Sequence, residues 1–134
     1  MSVSYLSLEE VLHAHGRVTG IPFARVRDHV HRMELLESAL ARPQHAAHYE
    51  EADLVRQAAT LLWGLVRDHP FSDGNKRTAY VATETFLELN GYTLRGASLD
   101  ARFRMLVSVA DGRSTVDDVE RSLRRHVTPL PPPR

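Results

Sequence analysis

The chain contains no cysteine, which excludes disulfide bonds, zinc sites built from thiolates and catalysis by a cysteine nucleophile. Lysine is nearly absent too: of the 17 basic residues, only Lys76 is a lysine, and the rest are arginines. The 17 acidic residues cancel this charge, so the overall balance favours neither a nucleic acid nor a membrane as partner. No apolar run approaches the roughly 18 residues that span a bilayer, and no signal-peptide pattern is seen. We therefore expect a soluble, cytoplasmic protein.

Apolar residues recur at helical spacing along most of the chain, which predicts one all-α domain of about six helices. Ser7 and Glu10 form a capping-box pattern before the first helix, and Gly16 is its expected end. Residues 17–28 have no sustained period and are expected to form a loop or short hairpin. Pro43 is expected to stop the next helix, because proline lacks the N–H that a helix interior uses. The later helices are expected at residues 30–41, 50–68, 75–90, 98–110 and 115–127, before a proline-rich, extended and poorly ordered tail.

The stretch HPFSDGNKR, residues 69–77, separates the two longest helical segments and is more polar than a turn requires. Gly74 and Asn75 open a helix there, and the free backbone N–H groups of a helix's first turn bind phosphate readily. Each of these residues taken alone is common in turns or on surfaces. However, Lys76 and Arg77 place cations in the first turn, where they oppose the helix dipole, and a bound anion would explain them. The stretch therefore predicts a phosphate-binding loop.

The remaining residues of this stretch suggest a metal and a base. Asp73 offers the carboxylate oxygen that Mg²⁺ accepts alongside phosphate oxygens and water. A phosphate-binding loop together with a magnesium ligand points to a nucleoside triphosphate. His69 lies at the end of the preceding helix, where its imidazole could take a proton from an attacking hydroxyl. Pro70 and Phe71 are expected to fix the shape of the loop, with Phe71 inserted into the core.

HPFSDGNKRTA is similar to the signature of the Fic/Doc family, in particular to the HxFx(D/N)GNKR form of its Doc (death-on-curing) branch. The similarity extends to YLSLEEV at residues 5–11, LLESALARP at 35–43 and FLELNGY at 86–92. The resemblance implies a compact all-α Fic/Doc domain over residues 1–127, with residues 128–134 as the tail. The roles it implies are His69 as general base, Asp73 as magnesium ligand, Gly74 and Asn75 as anion hole, Lys76 and Arg77 as phosphate contacts, and Phe71 as buried anchor.

Two departures from the Fic pattern bear on the reaction. Fic enzymes, which transfer AMP from ATP to a protein hydroxyl, have a glycine where this chain has Lys76 and an arginine where it has Tyr80. Both changes favour the Doc reaction, in which the nucleotide is turned around and its γ-phosphate passes to a threonine of elongation factor Tu, arresting translation. The resemblance thus implies a toxin that is an ATP- and Mg²⁺-dependent protein kinase, with Fic-type adenylyl transfer as the alternative.

A further expectation concerns inhibition. Many Fic enzymes are silenced by a glutamate in an (S/T)xxxE(G/N) motif, and no glutamate of this chain has serine or threonine four residues before it. Inhibition is then expected from a separate protein, as with the Phd-type antitoxins of Doc toxins, whose disordered C-terminal segment folds as a helix on the toxin.

Two alternatives remain open from the sequence. Eight histidines include the close pairs His13 and His15, His29 and His31, and His45 and His48, which could chelate zinc, although no HExxH pattern occurs. A catalytically inactive Doc-like module that only binds a partner is the other alternative. It predicts that replacing His69 with alanine would leave any growth arrest intact.

Overall fold

The chain folds into helices around one central helix, with a short pair of strands at one end. The computed structural model describes residues 2–132, and over those residues it confirms the mostly α-helical fold. The helices are α1 (Leu8–Thr19), α2 (Phe23–Val26), α3 (Met33–Glu50), α4 (Leu54–Asp68), α5 (Asn75–Leu89), α6 (Leu99–Ala110) and α7 (Val116–Arg124), with a 3₁₀ turn at Arg27–His29 and strands β1 (Tyr92–Leu94) and β2 (Val127–Pro129).

Helix α4 is the centre of the core. Nine of its 15 residues are buried, and it packs against α3, α5, α6 and α7. It begins at Leu54, later than residue 50, because the Asp53 carboxylate accepts a hydrogen bond from the Arg56 N–H at 2.9 Å and caps the helix. Its apolar face therefore fixes where α5, and the loop before α5, can lie.

The start of α1 is as predicted, but its end is not. Ser7 and Glu10 exchange the two hydrogen bonds of a capping box. Gly16, the predicted end, lies inside the helix, which continues to Thr19 and ends at Gly20. A Cβ at position 16 would lie 2.9 Å from the Ile21 carbonyl oxygen, so this glycine allows the chain after the helix to pack closely.

The expectations for residues 17–28 and for Pro43 are wrong. Residues 17–28 contain the end of α1, the single turn α2 and part of the 3₁₀ turn, not a hairpin. Pro43 lies inside α3, where Leu36, Ala39 and Ala46 are buried on either side of it. The apolar face of α3 continues beyond the proline and packs against α4, and this packing offsets the hydrogen bond that the proline cannot donate.

At the C-terminal end, the helix expected at residues 115–127 ends at Arg124. Val127 to Pro129 instead form β2, which pairs antiparallel with β1 in the register Leu94 with Val127. The first residues of the expected tail are thus extended, as predicted, but they are paired rather than free. Residues 133–134 of that tail lie outside the described residues. Among the helices that are described, none has the length and apolar character needed to cross a membrane.

Candidate active site

The predicted loop connects the C-terminal end of α4 to the N-terminal end of α5. His69 follows α4 directly and adopts a left-handed backbone conformation, with φ 49°, which turns the chain sharply out of the helix. Gly74 precedes α5 with φ 74°, and no side chain caps this helix. The N–H groups of the first turn of α5 therefore open onto the loop, with the partial positive charge of a helix N-terminus.

Asn75 closes the loop through its side chain. Its Oδ1 accepts a hydrogen bond from the Phe71 N–H at 2.9 Å, and its Nδ2 donates one to the Phe71 carbonyl oxygen at 2.8 Å. Phe71 is buried in the core, as predicted, and Asn75 is buried beside it. Of the two residues predicted as an anion hole, Asn75 thus offers its backbone N–H, because its buried side-chain amide is engaged with the Phe71 backbone.

A second attachment comes from the segment between the 3₁₀ turn and α3. Val30 forms an isolated antiparallel bridge with Phe71, and the Ser72 N–H donates to the His29 carbonyl oxygen at 2.9 Å. The His31 N–H donates to the Pro70 carbonyl oxygen at 2.9 Å. These backbone bonds explain why α3 starts at residue 33 and not at residue 30, since residues 30 and 31 are paired with the loop.

A third attachment, which we did not predict from the sequence, comes from α1. The His15 ring is fully buried, stacks on the Phe71 ring at 3.9 Å between centroids, and places Nε2 2.9 Å from the Asp73 carbonyl oxygen. Because a carbonyl can only accept, Nε2 carries the proton and donates it. Burial lowers the pKa of His15, and the hydrogen bond to Asp73 opposes that shift. The ring is therefore held in its neutral form.

The charged residues of this stretch differ in whether their side chains form hydrogen bonds or ion pairs with the rest of the protein. The Arg77 guanidinium donates to the Val18 carbonyl oxygen at the end of α1, at 3.0 Å, so this predicted phosphate contact also holds α1. Lys76 is half-buried, and neither it nor the Asp73 carboxylate has an ion pair within residues 2–132. A free carboxylate and a free ammonium thus flank the open helix end, which is the donor set that a magnesium-bound phosphate requires.

These residues line one cavity of about 280 Å³. His69 lies on its wall with the polar loop residues, and helix α6 contributes Phe103 and Leu106. A second cavity of about 350 Å³ runs along α5 and shares Arg77, Phe103 and Leu106 with the first, so the two lie next to each other. The structure thereby brings together every predicted site residue: His69, Asp73, Gly74, Asn75, Lys76 and Arg77.

Residues 5–87 match the family model described as the Fic/DOC family, and this match includes the whole loop. The chain belongs to the Fic/Doc family. A curated relative from Mycolicibacterium smegmatis (strain ATCC 700084 / mc(2)155), named Toxin Doc, is 44% identical over 92 residues, which are 67% of either chain. Protein kinase doc of Escherichia phage P1 is 37% identical over 90 residues, which are 66% of this chain and 70% of the relative. Both relatives confirm the resemblance to the Doc branch.

The position at which Fic enzymes carry their last arginine is buried in this Fic/Doc chain. Tyr80 lies there with its ring 5.0 Å below the Arg102 guanidinium carbon, and burial raises the pKa of its phenol. Arg102 comes from α6 and borders the second cavity, together with the half-buried Glu84. Tyr80 itself brings no cation to the candidate site.

The histidines considered for zinc have other contacts in the Fic/Doc fold. His13 stacks on Phe23 at 3.7 Å, His15 contacts the loop, and His48 meets the edge of Tyr49. Throughout residues 2–132, no group of three or more histidine, aspartate or glutamate side chains lies close enough to hold a metal ion. Of the contacts with the loop, only that of His15 had a sequence signal: with Val11 and Leu12 it shares the apolar face of α1.

Proposed function

We propose that this protein is a Doc-type protein kinase, the toxin of a type II toxin–antitoxin system, which transfers the γ-phosphate of ATP to a serine or threonine hydroxyl of a target protein. Elongation factor Tu is the target implied by the resemblance. The observation that carries the proposal is the open N-terminus of α5, where Gly74, Asp73 and Lys76 share one cavity with His69. The name of the phage relative, Protein kinase doc, supports the same reaction.

In this reaction the substrate hydroxyl loses its proton to the imidazole of His69 while its oxygen attacks the γ-phosphorus. The bond between the γ-phosphorus and the bridging β–γ oxygen breaks, and ADP leaves with that oxygen. His69 suits the base because it is exposed at the end of a rigid helix and lies on the wall of the phosphate cavity. The first-turn N–H groups of α5 and the Lys76 ammonium would stabilise the charge on the transferred group.

The residues also fit a magnesium ion. Asp73 offers a carboxylate free of ion pairs within residues 2–132, beside a helix end suited to phosphate. Mg²⁺ commonly takes one or two carboxylates together with phosphate oxygens and water. When bound, it would neutralise charge on the triphosphate, and Asp73 would be its protein ligand.

Phosphate transfer is favoured over AMP transfer by positions 76 and 80. Lys76 places a side chain in the first turn of α5, where Fic enzymes have a glycine and room for a phosphate. Tyr80 is buried under Arg102 and cannot replace the arginine that holds the terminal phosphate in those enzymes. We propose that the rest of the nucleotide, beyond the phosphates, occupies the neighbouring cavity along α5.

The name Toxin Doc of the relative from Mycolicibacterium smegmatis supports an antitoxin as partner, and a Phd-like protein is the form that we propose. Such an antitoxin would hold the toxin inactive in the cytoplasm. The exposed side chains of Leu99 and Phe103 on α6 border the cavity along α5 and provide an apolar surface beside the site. An amphipathic helix bound there would cover that cavity.

Transfer of label tests the reaction directly. The protein is incubated with Mg²⁺, elongation factor Tu and ATP labelled either in the γ-phosphate or in the α-phosphate. We expect label on elongation factor Tu from γ-labelled ATP only. Label from the α-position alone would establish AMP transfer instead, and no label from either would favour the inactive binding module.

A pair of histidine variants assigns the base. His69→Ala is expected to lower the transfer rate by about 10²- to 10⁴-fold, which is the usual contribution of a positioned base. His48→Ala is the matched control, because His48 is an exposed histidine of α3 that lies outside the cavity. Equal rates for the two variants would remove His69 from the mechanism.

A further inference from the structure

We propose that His15 is a positioning residue, which fixes the backbone of Asp73 so that its carboxylate and the open end of α5 face the magnesium-bound nucleotide. This inference rests on the proposed function. It assigns a role to a buried histidine of α1 that touches neither the nucleotide cavity nor the reacting atoms.

The first step of the argument is the contact itself. His15 Nε2 donates to the Asp73 carbonyl oxygen at 2.9 Å, across 58 residues of sequence. A peptide group that is held by its carbonyl has restricted backbone rotation, and the direction of the side chain at the same residue is restricted with it. No other side-chain bond restrains Asp73 within the described part of the chain. Its carboxylate therefore depends on His15 for its orientation.

The second step is that α1 meets the loop at three points. His15 stacks on Phe71, donates to Asp73, and lies one helical turn before Thr19, whose Cγ2 approaches Gly74. The spacing of four residues places His15 and Thr19 on the same side of α1. One face of α1 thus contacts the loop at Phe71, at Asp73 and at Gly74.

The third step is the unsatisfied nitrogen of the same ring. His15 Nδ1 is buried and has no hydrogen-bond partner among the described residues. A buried polar atom without a partner destabilises the fold, so a phenylalanine or leucine would serve the core better. The presence of histidine is explained if the bond from Nε2 to Asp73 serves the site and not only the core.

The test compares His15→Gln with His15→Asn. Glutamine carries its side-chain nitrogen as many bonds from Cα as His15 Nε2 does, whereas asparagine is one bond shorter and does not reach Asp73. Binding of the non-hydrolysable analogue AMP-PNP is measured by calorimetry with and without Mg²⁺. We expect the asparagine variant to lose about five- to tenfold in affinity with Mg²⁺ and much less without it, and the glutamine variant to remain close to wild type.

A second measurement needs no nucleotide. Hydrogen exchange at the backbone amides of residues 72–77 should be faster in His15→Asn than in wild type, and near wild type in His15→Gln. His13→Gln is the control, since His13 lies exposed on the same helix. His15→Phe, which keeps the stack on Phe71 and loses the donor, should behave as the asparagine variant does.

The outcomes separate the inference from the proposed function. If the asparagine and glutamine variants lower the melting temperature equally and bind Mg²⁺ with AMP-PNP as wild type does, His15 is only a core residue and the inference is wrong. If wild type does not bind the nucleotide, the proposed function fails, and with it the role of His15 in binding. Hydrogen exchange at the backbone amides of residues 72–77 then shows whether His15 still orders the backbone at Asp73. Should His15→Phe fail to fold, the comparison of the two amides decides alone.

Discussion

Replacing Gly74 with alanine should destabilise the protein for two separable reasons. The first is conformational: Gly74 has φ 74°, and a residue with a Cβ pays about 1–2 kcal/mol in this left-handed region. The second is steric, because an added Cβ would lie 2.9 Å from Thr19 Cγ2, and excess volume in a packed site costs about 1–3 kcal/mol. We expect a total loss of roughly 2–5 kcal/mol.

Thr19→Ser separates the two terms. Serine lacks Cγ2 but retains a hydroxyl that can donate to the His15 carbonyl oxygen, as Thr19 Oγ1 does at 2.7 Å. In the serine background, Gly74→Ala should therefore lose only the conformational term, about 1–2 kcal/mol. Urea unfolding of the four proteins in a double-mutant cycle measures the difference.

Two results would refute this reasoning. An alanine variant within about 0.5 kcal/mol of wild type would mean that neither term operates, as expected of an ordinary surface substitution. A coupling energy below about 0.5 kcal/mol would mean that Thr19 does not press on position 74, since only residues in contact couple more strongly than that. The position of α1 against the loop would then need revision.

Three further substitutions test the loop, the surface and the second cavity. Asn75→Ala should lower the free energy of unfolding by about 2–3 kcal/mol in urea, because both buried hydrogen bonds to Phe71 are lost. Arg56→Met should cost about 1 kcal/mol, seen as a lower Tm whose difference shrinks in high salt, because Arg56 pairs with three carboxylates of α3 and α7. Burial raises the pKa of Glu84 above its ordinary value of 4.5. The free energy of unfolding therefore falls progressively as the pH rises above 4.5 and Glu84 becomes charged in the folded protein. Glu84→Gln should therefore raise the Tm at pH 7 and have little effect below pH 4.5, and an equal shift at both values would contradict the assignment.

Local signals predicted some helix starts correctly, although the start of α4 after the Asp53 cap was missed. The capping box at Ser7 and the start of α5 after Gly74 are both correct, because each depends on residues within one turn. The prediction failed at Pro43 and Gly16, where packing between helices outweighs a local rule. A proline in the middle of a helix is unfavourable alone, and only the contact of α3 with α4 explains it.

The candidate site was predicted in its composition but not in its support. The spacing of HPFSDGNKR was enough to bring His69, Asp73 and Lys76 to one cavity, because the first six of these residues connect the two helices and the last three begin α5. It could not indicate that the amide of Asn75 faces inward, nor that Val30 bridges Phe71. The Val30 contact joins segments that are distant in sequence. The Asn75 contacts span only four residues, but they depend on how the loop folds, which the pattern of residues does not record.

The nearly complete use of arginine for positive charge has a practical consequence. Arginine resists the reagents and enzymes that acylate amines, so apart from the α-amino group this chain offers a single side-chain amine, at Lys76. That amine is half-buried at the start of α5, on the wall of the candidate active site. One acetyl group or one amine-reactive fluorophore would therefore mark the start of α5 and no other side chain. Under the proposed function, the reactivity of this amine would report on whether a nucleotide occupies the cavity.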